Sequence, residues 1–212
     1  MAASPSSPIP AVQGPRSGGH GVAWGVALLL LATGLLGGKP SYTAEPPRTG
    51  GAVATAHPAG KHLPRSRPTR LRIPEIGVDA PFTDLTIDAT GHLTPPPAAD
   101  TNLVGWYNKG ASPGEPGTAI IAGHVDTTTS AAVFVNLEEL EQGDRFSVVR
   151  ADGRTANFVV DSAETFEKDE FPSHRVYADT PRAEVRLITC AGNYDHTAQD
   201  YTENLVVFAH LV

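Results

Sequence analysis

Phe146-Ser-Val-Val149, Ala151-Asp-Gly153 and Phe158-Val-Val160 read together as two strands folded back on each other, since Asp-Gly between apolar runs marks a tight hairpin. The same texture extends outward on both sides. Upstream, Leu71–Ile76 and Val78–Phe82 are strand material split at Gly77, and Leu85–Ile87 leads through the turn Asp88-Ala-Thr-Gly91 to Leu93. Thr118–Ala122 is an apolar, partly β-branched run suited to a buried strand. Downstream, Val185–Cys190 and Leu205–Leu211 are two more strands. Ala131–Leu140 places Val133, Phe134, Leu137 and Leu140 at helical intervals, which predicts a short amphipathic helix. About eight short strands with one or two helices predict a mainly β domain, an antiparallel barrel or sandwich.

Composition agrees. The 21 Gly and 19 Pro among 212 residues argue for loops and a linker and against a helical bundle, while 40% hydrophobic residues suffice for a packed core. A single Cys excludes an intrachain disulfide framework and a Cys-based zinc site. The net charge of −7 points away from nucleic acid. No Gly-rich phosphate loop occurs, so no nucleotide cofactor is expected.

The charge is uneven. Residues 1–72 hold 8 of the 16 Lys and Arg but one acid, Glu45; the remainder is strongly acidic. After a tail at 1–20, residues 21–38 are uncharged, and as a helix they would extend about 27 Å, enough for a hydrocarbon core. The absence of a convincing cleavage site favours an uncleaved signal-anchor over a removed signal peptide. Residues 39–69 carry six prolines and read as a basic, disordered linker. Residues 70–212 form the body. The expectation is a single-pass membrane protein.

Within the body the lone Cys190 ends the run Val185-Arg-Leu-Ile-Thr-Cys190, followed by Ala191-Gly192-Asn193, which reads as a turn towards solvent. Alone, such a Cys is either an inert buried thiol or a nucleophile on a rigid platform. A nucleophilic thiol needs a proton partner, usually His. Of eight His, His124 stands out, following Thr118-Ala-Ile-Ile-Ala-Gly123 and preceding Val125-Asp126. The Gly before it lets another group approach closely.

Gly105-Trp106-Tyr107, Ile121-Ala-Gly-His124-Val-Asp126, Leu187-Ile-Thr-Cys190-Ala-Gly192 and Tyr201-Thr-Glu-Asn-Leu-Val-Val-Phe-Ala209, in that order, resemble the sortases, specifically the actinobacterial class E/F type. The resemblance runs from about Arg70 to Val212, and the anchor and spacer before it are also similar to that family. It implies a closed eight-stranded sortase-type β-barrel outside the cell membrane of a Gram-positive bacterium. It implies a cysteine transpeptidase that cuts a Leu-Pro-x-Thr-Gly-like sorting signal between Thr and Gly. The acyl group would pass to an amine of peptidoglycan or of a pilin. Cys190 would carry the thioacyl intermediate and His124 would exchange protons with the leaving and incoming amines. No cofactor or metal is implied.

The chain departs from the family at one point. The resemblance implies an Arg directly after Tyr201; here that residue is Thr202, and no Arg or Lys follows Arg186. Candidates for oxyanion or substrate support are Thr202 itself, Arg186, which alternation puts on the face of Cys190, Thr189 beside the thiol, and His196 in the following loop. The alternative is a weakened or inactive sortase-fold module that binds signal peptides without turnover. Glu164, Glu167, Asp169 and Glu170 crowd one loop without the regular spacing of a calcium site. Asp126 is a turn former or an orienter of His124.

Overall fold

The computed structural model of the chain describes residues 60–89 and 91–212. The expected membrane span at 21–38, the tail before it and the linker as far as residue 59 lie outside those residues. Among the described residues no helix is long and apolar enough to cross a membrane.

Eight strands close into a barrel. They are β1 Pro68–Ile73, β2 Val78–Leu85, β3 Val104–Tyr107, β4 Gly117–Gly123, β5 Arg145–Arg150, β6 Thr155–Glu167, β7 Ala183–Asp195 and β8 Asp200–Leu211. The order around the barrel is β1-β2-β3-β4-β7-β8-β6-β5. Pairings are antiparallel except β2 with β3 and β4 with β7, which run parallel. Closure excludes the sandwich alternative and removes exposed strand edges.

Local chemistry explains most boundaries. Pro74, which lacks an amide donor, ends β1 and opens a 3-10 turn at Pro74–Ile76; Gly77, at φ 69°, takes the left-handed residue that caps it. In the β5–β6 hairpin the Gly153 amide donates to the Arg150 carbonyl at 3.0 Å, and Gly153 takes φ 79°. Phe146 and Phe158 are cross-strand partners whose rings stack at 5.2 Å.

The amphipathic helix expected over Ala131–Leu140 is instead an irregular segment with one 3-10 turn, Leu137–Glu139. Its apolar residues do face the core: Phe134 and Leu137 are fully buried. The amides that an α-helix would bond four residues back bond three residues back instead: Val135 N–H donates to Ala132 O and Leu137 N–H to Phe134 O, both at 3.1 Å, so the segment winds as separate tight turns. The regular α-helix is α1, Ser173–Tyr177, in the β6–β7 connection.

Alternation along the strands sorts the core into two clusters. The barrel interior takes Leu71, Ala119, Ile121, Val185, Leu187, Leu205, Val207 and their neighbours. The opposite face of β4, β7 and β8 carries Ile120, Ala122, Ile188, Val206 and Phe208, covered by Val176 of α1 and by Leu93 between β2 and β3. The outward side of this three-strand wall is therefore a sheltered surface.

Candidate active site

The parallel β4–β7 register pairs Ile121 with Leu187 and Ala122 with Ile188. That register, continued two residues past its last pair, would bring His124 level with Cys190. Both follow by even steps from residues of the outward face, so both side chains leave the sheet on that side. Neighbouring strands are about 4.8 Å apart. Residues 66 apart in sequence are thus brought together by one parallel pairing. His124 and Cys190 line a shared cavity of about 460 Å³ with Asp126, Tyr194, His196, Asp200 and Tyr201.

Cys190 does not end its strand. β7 runs on to Asp195, and the expected turn at Ala191–Asn193 is an irregularity in the β7–β8 register between Ala191 and Tyr194. Gly192 takes φ 77° there, and a Cβ on it would meet the Glu203 carboxylate at 2.6 Å. This bulge bends the β7–β8 hairpin beside the thiol. The hairpin tip stacks Tyr194 edge-on against His196 at 5.1 Å and against Tyr201 at 5.4 Å, forming an aromatic wall of the cavity.

His124 is 8% exposed, and its Nε2 lies 2.8 Å from the carbonyl oxygen of Pro96. A carbonyl only accepts, so Nε2 carries the proton and Nδ1 is left for exchange. Pro96 sits in the run Pro95-Pro96-Pro97 between β2 and β3, which the sequence offers only as loop material. Asp126 does not hold His124. It accepts a hydrogen bond from Tyr201 Oη at 2.5 Å, joining the segment after β4 to β8 across the cavity. Burial, then this carboxylate, pushes the Tyr201 phenol up to about 12.

The group that approaches closely at Gly123 is the Val133–Phe134 pair. A Cβ at this position would lie 2.7 Å from the Phe134 ring and 2.8 Å from Val133 Cγ1. Both neighbours are buried, so Gly123→Ala should cost about 1–3 kcal/mol by overpacking. Thermal unfolding checks this, and an unchanged melting temperature would mean that β4 has slack at its end.

The expected supports for the thiol lie elsewhere. Arg186 is 5% exposed, ion-paired to Glu184 at 2.8 Å and stacked on Phe208 at 4.7 Å. Four residues of strand, about 13 Å, separate it from Cys190. Thr189 alternates to the barrel interior, buried at 3% exposure. The Thr202 hydroxyl accepts the Asn193 amide at 3.2 Å, bracing the hairpin. His196 does line the cavity. Of the crowded acids, Glu164 takes both guanidinium nitrogens of Arg175 at 2.5 and 2.6 Å, and these hold its carboxyl below the usual carboxylate range.

Two neighbours of the thiol were not expected from the sequence. Asn204 is the cross-strand partner of Cys190, fully buried, and neither atom of its amide has a protein hydrogen-bond partner among the described residues. Lys168 follows β6, its amide donating to Thr202 O at 3.0 Å, so it continues the β6–β8 ladder one residue. Its Nζ reaches within 3.9 Å of Cys190 Sγ and pairs with Asp200 at 2.5 Å. Burial pushes the Cys190 thiol above its ordinary value; Lys168 pulls it down, and Asp200 and Asp126 push it up.

The sortase-domain family model matches residues 71–212. Among solved structures, sortase C-1 from Actinomyces oris is 25% identical over 68% of this chain and 72% of its own, with a TM-score of 0.50. A lid mutant of sortase A from Corynebacterium diphtheriae is 24% identical, covering 71% and 72%, with a TM-score of 0.51. Streptococcus agalactiae sortase C1, in complex with MTSET, shares the fold at 20% identity and a TM-score of 0.52, over 69% and 70%. No curated protein sequence matches the chain.

Proposed function

The chain belongs to the sortase family, and we propose that it is a membrane-anchored cysteine transpeptidase of the class E/F type, with Cys190 as nucleophile and His124 as acid and base. The Cys190 thiol passes its proton to His124 Nδ1, and sulfur attack on the Thr carbonyl of a Leu-Pro-x-Thr-Gly-like signal forms a C–S bond and an oxyanion. Collapse breaks the Thr–Gly C–N bond, and His124 gives its proton to the departing amine. An amine from peptidoglycan or a pilin then attacks the thioester, loses a proton to His124 and expels the thiolate. Pro96 holds Nε2, so Nδ1 is the nitrogen that exchanges protons. Residues 21–38 would anchor the enzyme with the barrel outside the membrane.

The observation that supports this reading is that His124 and Cys190 line one cavity, at the end of the parallel β4–β7 register. A specific observation also favours the second reading, a peptide-binding module without turnover: Thr202 is uncharged and its hydroxyl is already engaged by Asn193.

The test is to incubate the full chain with quenched Leu-Pro-x-Thr-Gly and Leu-Ala-x-Thr-Gly peptides and an amine. Mass spectrometry should find an acyl adduct on Cys190 and a peptide–amine product. Saturable binding without either species supports the module.

A further inference from the structure

Lys168 belongs to none of the sequence patterns discussed, yet its ammonium touches the one thiol of the chain. Three features make that contact a built one. The lysine is held by main-chain pairing to Thr202 O, so its stem rises from a fixed point one strand beyond β8. The Lys168 side chain is 19% exposed and that of Asp200 15%, so the pair is sheltered from bulk water. Lys168, like Arg186 and Arg175, is paired with an acid, but its partner Asp200 lines the same cavity as Cys190, so the pair as a whole stands beside the thiol.

A lysine stem is long enough to cross the roughly 4.8 Å to the next strand, so a charge rooted on β6 can stand above β8 beside Cys190. An ammonium beside a thiol favours the thiolate, and a donor aimed at developing negative charge stabilises an oxyanion.

We propose that Lys168 is the catalytic cation of this site, holding the Cys190 thiolate and then the oxyanion formed when sulfur attacks a carbonyl, with Asp200 tuning the charge that reaches it. The proposal rests on Cys190 being the nucleophile, not on which peptide is cut. Charged and titratable groups face the sulfur from several sides: Lys168 after β6, Asp200 and Tyr201 on β8, His124 and Asp126 after β4, and His196 at the hairpin tip. Lys168 and Asp200 act on it in opposite senses, and the experiment uses this opposition.

The full chain is alkylated with iodoacetamide across pH 6–10. A C–S bond forms, iodide leaves and the thiol proton passes to solvent, so the rate follows the thiolate fraction. Lys168→Met should move the profile up in pH and slow alkylation at pH 7 about tenfold, the equivalent of one unit. Asp200→Asn frees the ammonium and should move the profile down, speeding alkylation. Lys168→Arg should restore most of the wild-type profile. A Lys168→Met profile that does not move, or that moves in the same direction as Asp200→Asn, overturns the proposal. If Lys168→Met does not fold, Lys168→Gln takes its place in the same comparison, and an unmoved Lys168→Gln profile overturns the proposal.

Peptide cleavage by the same proteins separates this proposal from the transpeptidase reading. Opposed alkylation shifts with no wild-type cleavage leave Lys168 standing and remove the turnover. Cleavage with flat alkylation profiles does the reverse.

Discussion

Cys190→Ala should abolish peptide cleavage, and His124→Gln should lower kcat by about 10²–10⁴ while the fold is kept. The first expectation follows because the chain has a single thiol. Nothing else lining the cavity is a comparable nucleophile: the Tyr201 phenol is pushed up to about 12 and donates to Asp126. The second follows from the way His124 is held. A Gln at this position can still donate to Pro96 O, so the loop between β2 and β3 stays attached. It cannot carry a proton between the leaving and incoming amines. Binding groups outside the reacting centre are untouched, so KM should change little and the loss should appear in kcat. Steady-state cleavage of the signal peptide measures both. A His124→Gln enzyme within threefold of wild type would remove His124 from the chemistry. If the module reading is right, wild type and both variants bind peptide equally and none turns over.

The parts of the molecule that were legible in the sequence are those set by neighbours in the chain. The Asp152-Gly153 turn, the break at Gly77 and the apolar runs of β4 and β8 are local, and the structure has each where the residues put it. The Ala131–Leu140 segment shows the limit. Its periodicity identified the buried residues correctly, but Phe134 N–H and Ala132 N–H tie the segment to His124 O and Val125 O, and its later amides close three-residue turns rather than α-helical ones. Likewise Ala191-Gly192-Asn193 has turn composition, yet pairing with β8 carries β7 through it as a bulge.

The site divides the same way. Cys190 and His124 were legible by residue type and context. Lys168 was not, because its relevance depends on β6 lying beside β8, an adjacency set by closure of the barrel. A search for a cation near Thr202 along the chain looks downstream of Arg186, where there is none; the cation arrives from a strand that precedes β7 in the chain. Arg186 misled for a related reason. Alternation put it on the correct face, but distance along the strand and the pull of Glu184 and Phe208 keep it away from the thiol.

Arg150→Ala should destabilise the barrel by about 3–5 kcal/mol, lowering the melting temperature by roughly 10–15 °C. Arg150 is 2% exposed, at the end of β5, and its guanidinium donates to the carbonyls of Pro64 and Pro113 and reaches Asp152 at 3.4 Å. Those carbonyls lie in segments leading into β1 and β4. The segment before β1 is further tied by Leu63 N–H to Gly114 O at 2.7 Å and Ala151 N–H to Arg67 O at 2.8 Å. Truncation leaves two carbonyls without their donor, each costing about 1–3 kcal/mol, and adds a cavity. Arg150→Met separates the two contributions by keeping most of the volume. A Met variant as stable as wild type would mean that the guanidinium fills space and its bonds are worth nothing net, an outcome known for buried ions replaced by apolar groups. Trypsin should cut faster after Arg65 in the Ala variant, because the segment it occupies loses its anchor to the β5–β6 hairpin. Catalysis should survive below the melting temperature. Arg150 lies before the start of the 13-residue β6 and Lys168 follows its end, so a loss at one end of this strand acts on stability and leaves kcat alone.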